Sequence, residues 1–426
     1  MVGEGSHLEL RASTATIVGC VLAAFCEGFD LQAAGVAAQG LVPDLRPTGG
    51  ELGNFFSAST LGLSIGALIG GRLSDSLGRK GTLITSIALF GVFSILTAAA
   101  PDIRLLTGAR LLTGLGLGGA FPTLVALVNE HSAPDRRRAN VALVYSGMPL
   151  GGAFVSLMSM LSAPAHWRSI FLTGGVAPIL LVPLMLWAVR ESPAFVKITR
   201  PEPPRARAAS AGPTPHRAHF MEIFAEGRAL ATLLLWVSCF LGLLTLYLLL
   251  SWLPTLLVDS GFTKPQAAGA QIGFNVGGAL AAFVLGRLLE GGLRNASILV
   301  TFIGTPILVF VLSRGPSDLA LVVIVVFALG CGVIAGQGYF YASAAHSYPT
   351  SIRGSGAGAT VAAGRLGSIV GPKLGGILKA AGHSPAQWFS DILPLVVLGS
   401  LTALAFAWRT ARADKSHARA SGAEII

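Results

Sequence analysis

Charge is scarce in this chain. Only 12% of its 426 residues are Asp, Glu, Lys or Arg, about half the usual soluble fraction. So few charges cannot clothe a water-soluble globule of this length. Cysteine is scarcer still. The four (Cys20, Cys26, Cys239 and Cys331) all fall in apolar runs, without metal spacing or the logic of a disulfide framework, and read as small packing residues. No Walker-type nucleotide loop and no His/Glu metal spacing is present, which argues against an enzyme and against ATP as the energy source. No cofactor or metal is expected. His131, His346 and His383 lie at or near the ends of apolar runs and cluster with nothing in sequence.

What is abundant is apolar residue. It makes up 53% of the chain, and the mean hydropathy is +0.70. A helix needs about 20 mostly apolar residues to cross roughly 30 Å of hydrocarbon. Twelve stretches qualify: 14–40, 52–72, 81–100, 103–129, 139–161, 168–190, 228–258, 266–288, 296–314, 317–345, 351–378 and 386–410. A single apolar segment satisfies its own backbone in lipid only as a helix. Barrel strands would alternate polar and apolar residues over about 10 positions, and these do not. The first run carries Glu27 and Asp30, unlike the apolar centre of a signal peptide, and reads as a retained span. The expectation is an all-α, twelve-span membrane protein. Trp167, Trp187, Trp388 and Trp408 fall near span ends and read as an interfacial belt.

The net charge of +10 could point to nucleic acid, but its distribution points to topology. With loops assigned alternately to two sides, 21 of the 30 Lys and Arg fall on the side of both termini and six on the other, with Arg110, Arg365 and Lys373 inside spans. That is the positive-inside pattern. Both termini are expected in the cytoplasm, and the run Arg136-Arg137-Arg138 reads as a topology signal.

The longest hydrophilic stretch, 191–227, holds Pro201, Pro203, Pro204, Pro213 and Pro215 among Arg, Ala and Ser and reads as a cytoplasmic linker. It divides the chain into a six-span half at 1–190 and another at 228–426. The halves repeat weakly: Gly71, Pro134 and Arg138 recur 215 positions on as Gly286, Pro349 and Arg353. Two six-span halves in parallel repeat describe the major facilitator architecture, with its substrate site near the midplane between them.

The motifs agree. Gly71-Arg72-Leu73-Ser74-Asp75-Ser76-Leu77-Gly78-Arg79-Lys80 resembles the loop 2–3 signature of the major facilitator superfamily, with Ser76 where that motif usually has Arg. Asn129-Glu130 through Pro134 and Arg138 resembles its loop 4–5 motif. Glu27-Gly28-Phe29-Asp30 in the first span resembles the aromatic acid:proton symporter family. The continuation Leu31-Gln32-Ala33-Ala34-Gly35, with Gly364-Arg365-Leu366-Gly367 and Trp252-Leu253-Pro254, looks like the 3-(3-hydroxyphenyl)propionate transporters within it. The resemblance implies a proton-coupled carrier of aromatic acids. It also gives Asp75 a gate role, with Arg79 or Arg138 as partner; Glu130 and Arg353 lie in the same loop motifs.

An ionisable residue inside a membrane costs at least about 2.5–3.5 kcal/mol at mid-depth, so each is a functional candidate. Glu27 and Asp30 share a helix face. At about 1.5 Å per residue, Asp30 lies roughly 15–20 Å from the outer end of its span and Arg110 about 12 Å into the fourth, so an Asp30–Arg110 ion pair is expected. It reads either as a fixed structural pair or as a proton switch, in which a carboxylate is released from its Arg when substrate arrives. Asp30 is the preferred proton carrier and Glu27 the alternative. Arg365 lies about 21 Å into the eleventh span with no acid in that span. Its guanidinium fork suits a substrate carboxylate, backbone carbonyls or Asp30 being the rival partners. Tyr145, Tyr247, Trp252 and Tyr341 could supply ring and hydroxyl contacts, Asn275, Gln271 and Gln337 amide contacts, and Arg110 a second cation; each aromatic or amide alone is more often a packing residue or an interface anchor.

The function expected is secondary uptake of a small aromatic carboxylate, such as 3-(3-hydroxyphenyl)propionate or a hydroxybenzoate, by a monomer in a bacterial inner membrane. One rival is a proton-coupled exporter of drugs or other organic compounds. Another is a sensor that binds aromatic acids without moving them.

Overall fold

The computed structural model describes residues 2–163, 166–192, 195, 220–290, 294–349 and 351–420; the side chains of 2–13, 75, 138, 220, 285–290, 345 and 413–420 lie outside that description. The described residues form helices joined by short turns. The N-terminal set is α1 (Val2–Leu45), α2 (Gly49–Ser74), α3 (Ser76–Ala99), α4 (Ile103–His131), α5 (Arg137–Leu161) and α6 (Trp167–Ala188). A 3₁₀ turn at Phe220–Phe224 precedes α7 (Ala229–Asp259), α8 (Lys264–Glu290), α9 (Arg294–Ser313), α10 (Leu319–His346), α11 (Arg353–Ala380) and α12 (Pro385–Ala420). Most of the expected 191–227 linker lies outside the described residues.

The helix starts follow local chemistry. Thr48 and Glu51 form a reciprocal capping box at α2, while Asp102 and Asp318 accept the first backbone N–H groups of α4 and α10, satisfying donors that a helix cannot pair internally. Helices α2 and α3 run on as one element, broken at Gly78, whose φ of 79° favours a residue without Cβ.

Among the described residues eleven helices are long and apolar enough to cross a membrane by composition alone; α11, expected as a span at 351–378, is not among them. It carries Arg353, Arg365, Lys373 and Lys379, and its buried face is largely glycine. Its glycine face is packed between α7 and α2, while Leu366, Val370 and Ile377 stay exposed.

The two halves pack alike. Helix α1 lies on α5 as α7 lies on α11, α2 on α4 as α8 on α10, and α3 on α6 as α9 on α12. The close approaches are made by glycine: a Cβ at Gly151 would strike the Phe25 carbonyl, and one at Gly367 the Phe240 carbonyl. Small residues are what let membrane helices approach to backbone contact.

The halves meet along α1·α7, α2·α11 and α5·α8. Their contacts tighten at the end away from the chain termini. There Gly49 and Gly53 abut Ala380 and Gly376, Gln39 Nε2 donates to Pro254 O at 3.4 Å and Lys264 Nζ to Ser162 O at 3.2 Å. On the side of the termini Tyr145 is 40% exposed, at the mouth of a cleft between the halves.

The tryptophan belt needs correction. Trp187 and Trp408 are exposed, but Trp167 and Trp388 are buried. The indole N–H of Trp388 has an internal acceptor, Gly375 O at 3.3 Å, while that of Trp167 reaches the exposed carboxylate of Asp44 at 3.0 Å. An amphipathic ring needs no interface once its polar atom is satisfied inside.

Candidate functional site

The ion pair expected between Asp30 and Arg110 is present. Arg110 Nη1 donates to Asp30 Oδ2 at 2.7 Å, and Nη2 donates to Asp30 O at 2.9 Å and to Ser59 Oγ at 3.2 Å. Ser94 Oγ lies 2.9 Å from Asp30 Oδ1 and 3.0 Å from Phe171 O, and the guanidinium carbon stands 5.6 Å from the Phe171 ring centroid. Both side chains are 0% exposed. Helices α1, α2, α3, α4 and α6 therefore converge on one pair. Both carboxylate oxygens of Asp30 are engaged, so the pair is locked inside the N-terminal half and does not face the cleft.

Glu27 sits one turn earlier on α1. It is buried, its Oε2 has no hydrogen-bond partner, and it lies within electrostatic range of both Asp30 and Arg365. Arg365, half-buried on α11, donates to Tyr247 Oη at 3.3 Å, and Tyr341 lies near it. Among the described residues it has no carboxylate within ion-pair distance. Tyr145 reaches the same neighbourhood from α5. One half thus contributes a buried acid and a phenol to the cleft, and the other a cation and two phenols. Such a set can hold a carboxylate on the guanidinium and an aromatic ring among the phenols.

Other residues named from the sequence lie elsewhere. Trp252 is fully buried in the closed end, its Nε1 donating to Pro372 O at 2.9 Å and its ring edge-on to Phe56 at 5.0 Å. Gln337 lines a small cavity of about 40 Å³ inside the C-terminal half, beside Thr245, Thr305 and Phe340. Asn275 is bonded to Gln32 of α1, whose Nε2 donates to Asn275 Oδ1 at 2.8 Å. Gln271, expected beside Asn275 on the same span, belongs to the same cluster, and Gln32 stands out in the sequence only as part of the first-span motif.

At the end bearing the termini, Arg79 and Glu130 form an ion pair between α3 and α4. Arg353 Nε donates to Tyr348 O at 3.4 Å where α11 begins. The side chains of Asp75 and Arg138 lie outside the described residues. Glu191, which sequence reasoning missed, accepts from the backbone N–H of Arg79 at 2.8 Å and of Lys80 at 3.1 Å. A carboxylate at the freed N–H groups of a helix start is stabilised by the helix dipole. It ties the end of α6 to the turn at Gly78.

Comparison with known proteins bears on this arrangement. The Major Facilitator Superfamily model matches residues 20–372. The 3-(3-hydroxy-phenyl)propionate transporter of Escherichia coli is 38% identical over 398 residues, 93% of this chain and 94% of that protein. The 4-hydroxybenzoate transporter PcaK of Pseudomonas putida is 32% identical over 402 residues, 90% of each, and the gallate transporter of the same species 31% over 383, 86% of this chain and 85% of that protein. Among solved structures, a D-xylose-proton symporter superposes with a TM-score of 0.75 at 17% identity, over 92% of this chain and 97% of that one. The chain belongs to the Major Facilitator Superfamily.

Proposed function

We propose that this protein is a secondary transporter that takes up small aromatic carboxylates together with protons. The observation that carries the reading is Arg365: a guanidinium facing the cleft at mid-membrane with a single long hydrogen bond to Tyr247 and phenols around it. A permanently charged group in that position is costly until an anion meets it, and a planar carboxylate fits its fork. The relatives named for hydroxylated aromatic acids support that substrate class.

The coupling acid is Asp30, with Glu27 as the alternative carrier. In the conformation described, Asp30 is held by Arg110, so its protonation requires Arg110 to let go. The open oxygen of Glu27 places a further acid between that pair and Arg365. The charge bias of the loops supports termini in the cytoplasm, a bacterial inner membrane, and hence a cleft open inward. The exporter reading differs in the direction of proton flux with substrate.

The test is uptake of labelled 3-(3-hydroxyphenyl)propionate, 4-hydroxybenzoate and gallate into proteoliposomes, with and without an imposed proton gradient. At least one acid should accumulate above equilibrium only when the outside is acidic. Accumulation that ignores the gradient overturns proton coupling. Failure of the whole panel overturns the substrate class.

A further inference from the structure

A second polar cluster lies across the seam between the halves, apart from Arg365 and from the Asp30–Arg110 pair. Gln32 of α1 faces Gln271 and Asn275 of α8, and the three are 4%, 0% and 1% exposed. Gln32 and Asn275 exchange both amide bonds: Gln32 Nε2 donates to Asn275 Oδ1 at 2.8 Å and Asn275 Nδ2 to Gln32 Oε1 at 2.8 Å. Gln271 Nε2 donates to the same Gln32 oxygen at 3.0 Å. Asn275 Nδ2 also lies 3.0 Å from Gln271 O. Helix α5 walls the cluster in, since a Cβ on Gly152 would occupy the position of the Gln32 amide.

Its height matters. Gln32 lies five residues beyond Glu27 on α1, roughly 7.5 Å nearer the closed end. The cluster therefore sits between the cleft and the contacts of Gly49, Gly53 and Trp252. Three of its four hydrogen bonds join one half to the other. Any motion that parts the halves at the closed end separates α1 from α8 and breaks all three.

The chemistry suits a bond made and broken in each cycle. An amide is donor and acceptor at once, so two amides satisfy each other when the seam is shut. Neither leaves a bare charge when the seam opens and water enters. An ion pair here would strand two charges; an apolar pair would confer no register.

We propose that Gln32, Gln271 and Asn275 form the latch that holds the outer seam shut and so sets the balance between the two faces of the carrier. They are positioning residues: they act through the relative placement of α1 and α8 and do not touch substrate. Three interhelical hydrogen bonds of the strength usual between membrane helices correspond to a bias on the order of tenfold.

The experiment measures that balance directly. Spin labels are placed on cysteines at Gly50, where a side chain meets nothing, and at Ala381, which is exposed, on opposite halves at the closed end. Distances are read by pulsed electron resonance in the full-length protein in lipid nanodiscs. The parent should show mainly the short distance. Gln32→Met, which removes all three inter-half bonds, should raise the long-to-short ratio by about tenfold, and Asn275→Leu, which removes two, by roughly fivefold. The paired exchange of Gln32→Asn with Asn275→Gln, which keeps an amide on each side, should return most of the short population. Affinity for 3-(3-hydroxyphenyl)propionate, measured in the same samples, should change by no more than the shift in populations accounts for. If Gln32→Met does not fold, Asn275→Leu alone reads the same distance while leaving the Gln32–Gln271 bond, with a smaller shift expected. An unchanged ratio in folded variants overturns the latch. So does a loss of affinity without a change in distance, which would make the amides substrate ligands. Neither outcome depends on whether transport is proton-coupled.

Discussion

The two halves share a packing plan but use charge in opposite ways. In the N-terminal half an Asp and an Arg are sealed together with every carboxylate oxygen engaged. In the C-terminal half the comparable cation, Arg365, is half-buried, held by one phenol, and set against the cleft. A closed pair stabilises its own half and can store a proton only by being broken. An open cation is an incomplete site that a ligand completes. The repeat supplies the same frame twice, and the division of labour comes from where each frame leaves its charge unmatched.

The contrast can be broken most severely at Arg110. Arg110→Leu leaves the Asp30 carboxylate buried without its cation and should cost about 3–5 kcal/mol of stability, read as a large fall in thermal midpoint in detergent. Arg365→Ala should cost within about 1 kcal/mol, because its one hydrogen bond is long. It should instead lower affinity for aromatic carboxylates by at least about a hundredfold, and Arg365→Lys should not restore it because the fork is lost. Equal destabilisation by the two substitutions would erase the distinction between the halves. The smallest expected effect is at Trp252. Trp252→Phe removes one hydrogen bond to Pro372 O and should cost about 1 kcal/mol, with substrate affinity unchanged in a binding assay. A marked loss of affinity there would return Trp252 to the substrate wall.

Much of this was legible in the sequence, for physical reasons that also mark its limits. The Asp30–Arg110 pair could be anticipated because a charge in hydrocarbon demands a partner and helix rise fixes its depth. The spans were legible because lipid imposes length and apolarity on any helix it touches. Helix α11 marks the edge of that rule: 351–378 is legible as a span, but its charge and glycine leave it less apolar than the other eleven. Side chains whose neighbours come from distant helices were not legible. Trp388 looks interfacial until its internal acceptor, Gly375 O, is seen. Gln32 gains meaning only opposite Asn275, and Glu191 only where it meets the N–H groups freed at Gly78.

The central claim is that the N-terminal half drives what the C-terminal half binds. Asp30→Asn, which retains an acceptor for Arg110 but cannot carry the proton, tests it most directly. Reconstituted protein, normalised to the folded fraction, is assayed for gradient-driven accumulation of 3-(3-hydroxyphenyl)propionate and for counterflow of internal against external substrate. Accumulation should disappear while counterflow persists, because the loaded carrier still changes face without releasing a proton. Loss of both together would mark Asp30 as structural, and retained accumulation would remove it as the carrier and move coupling to Glu27; either result contradicts the account.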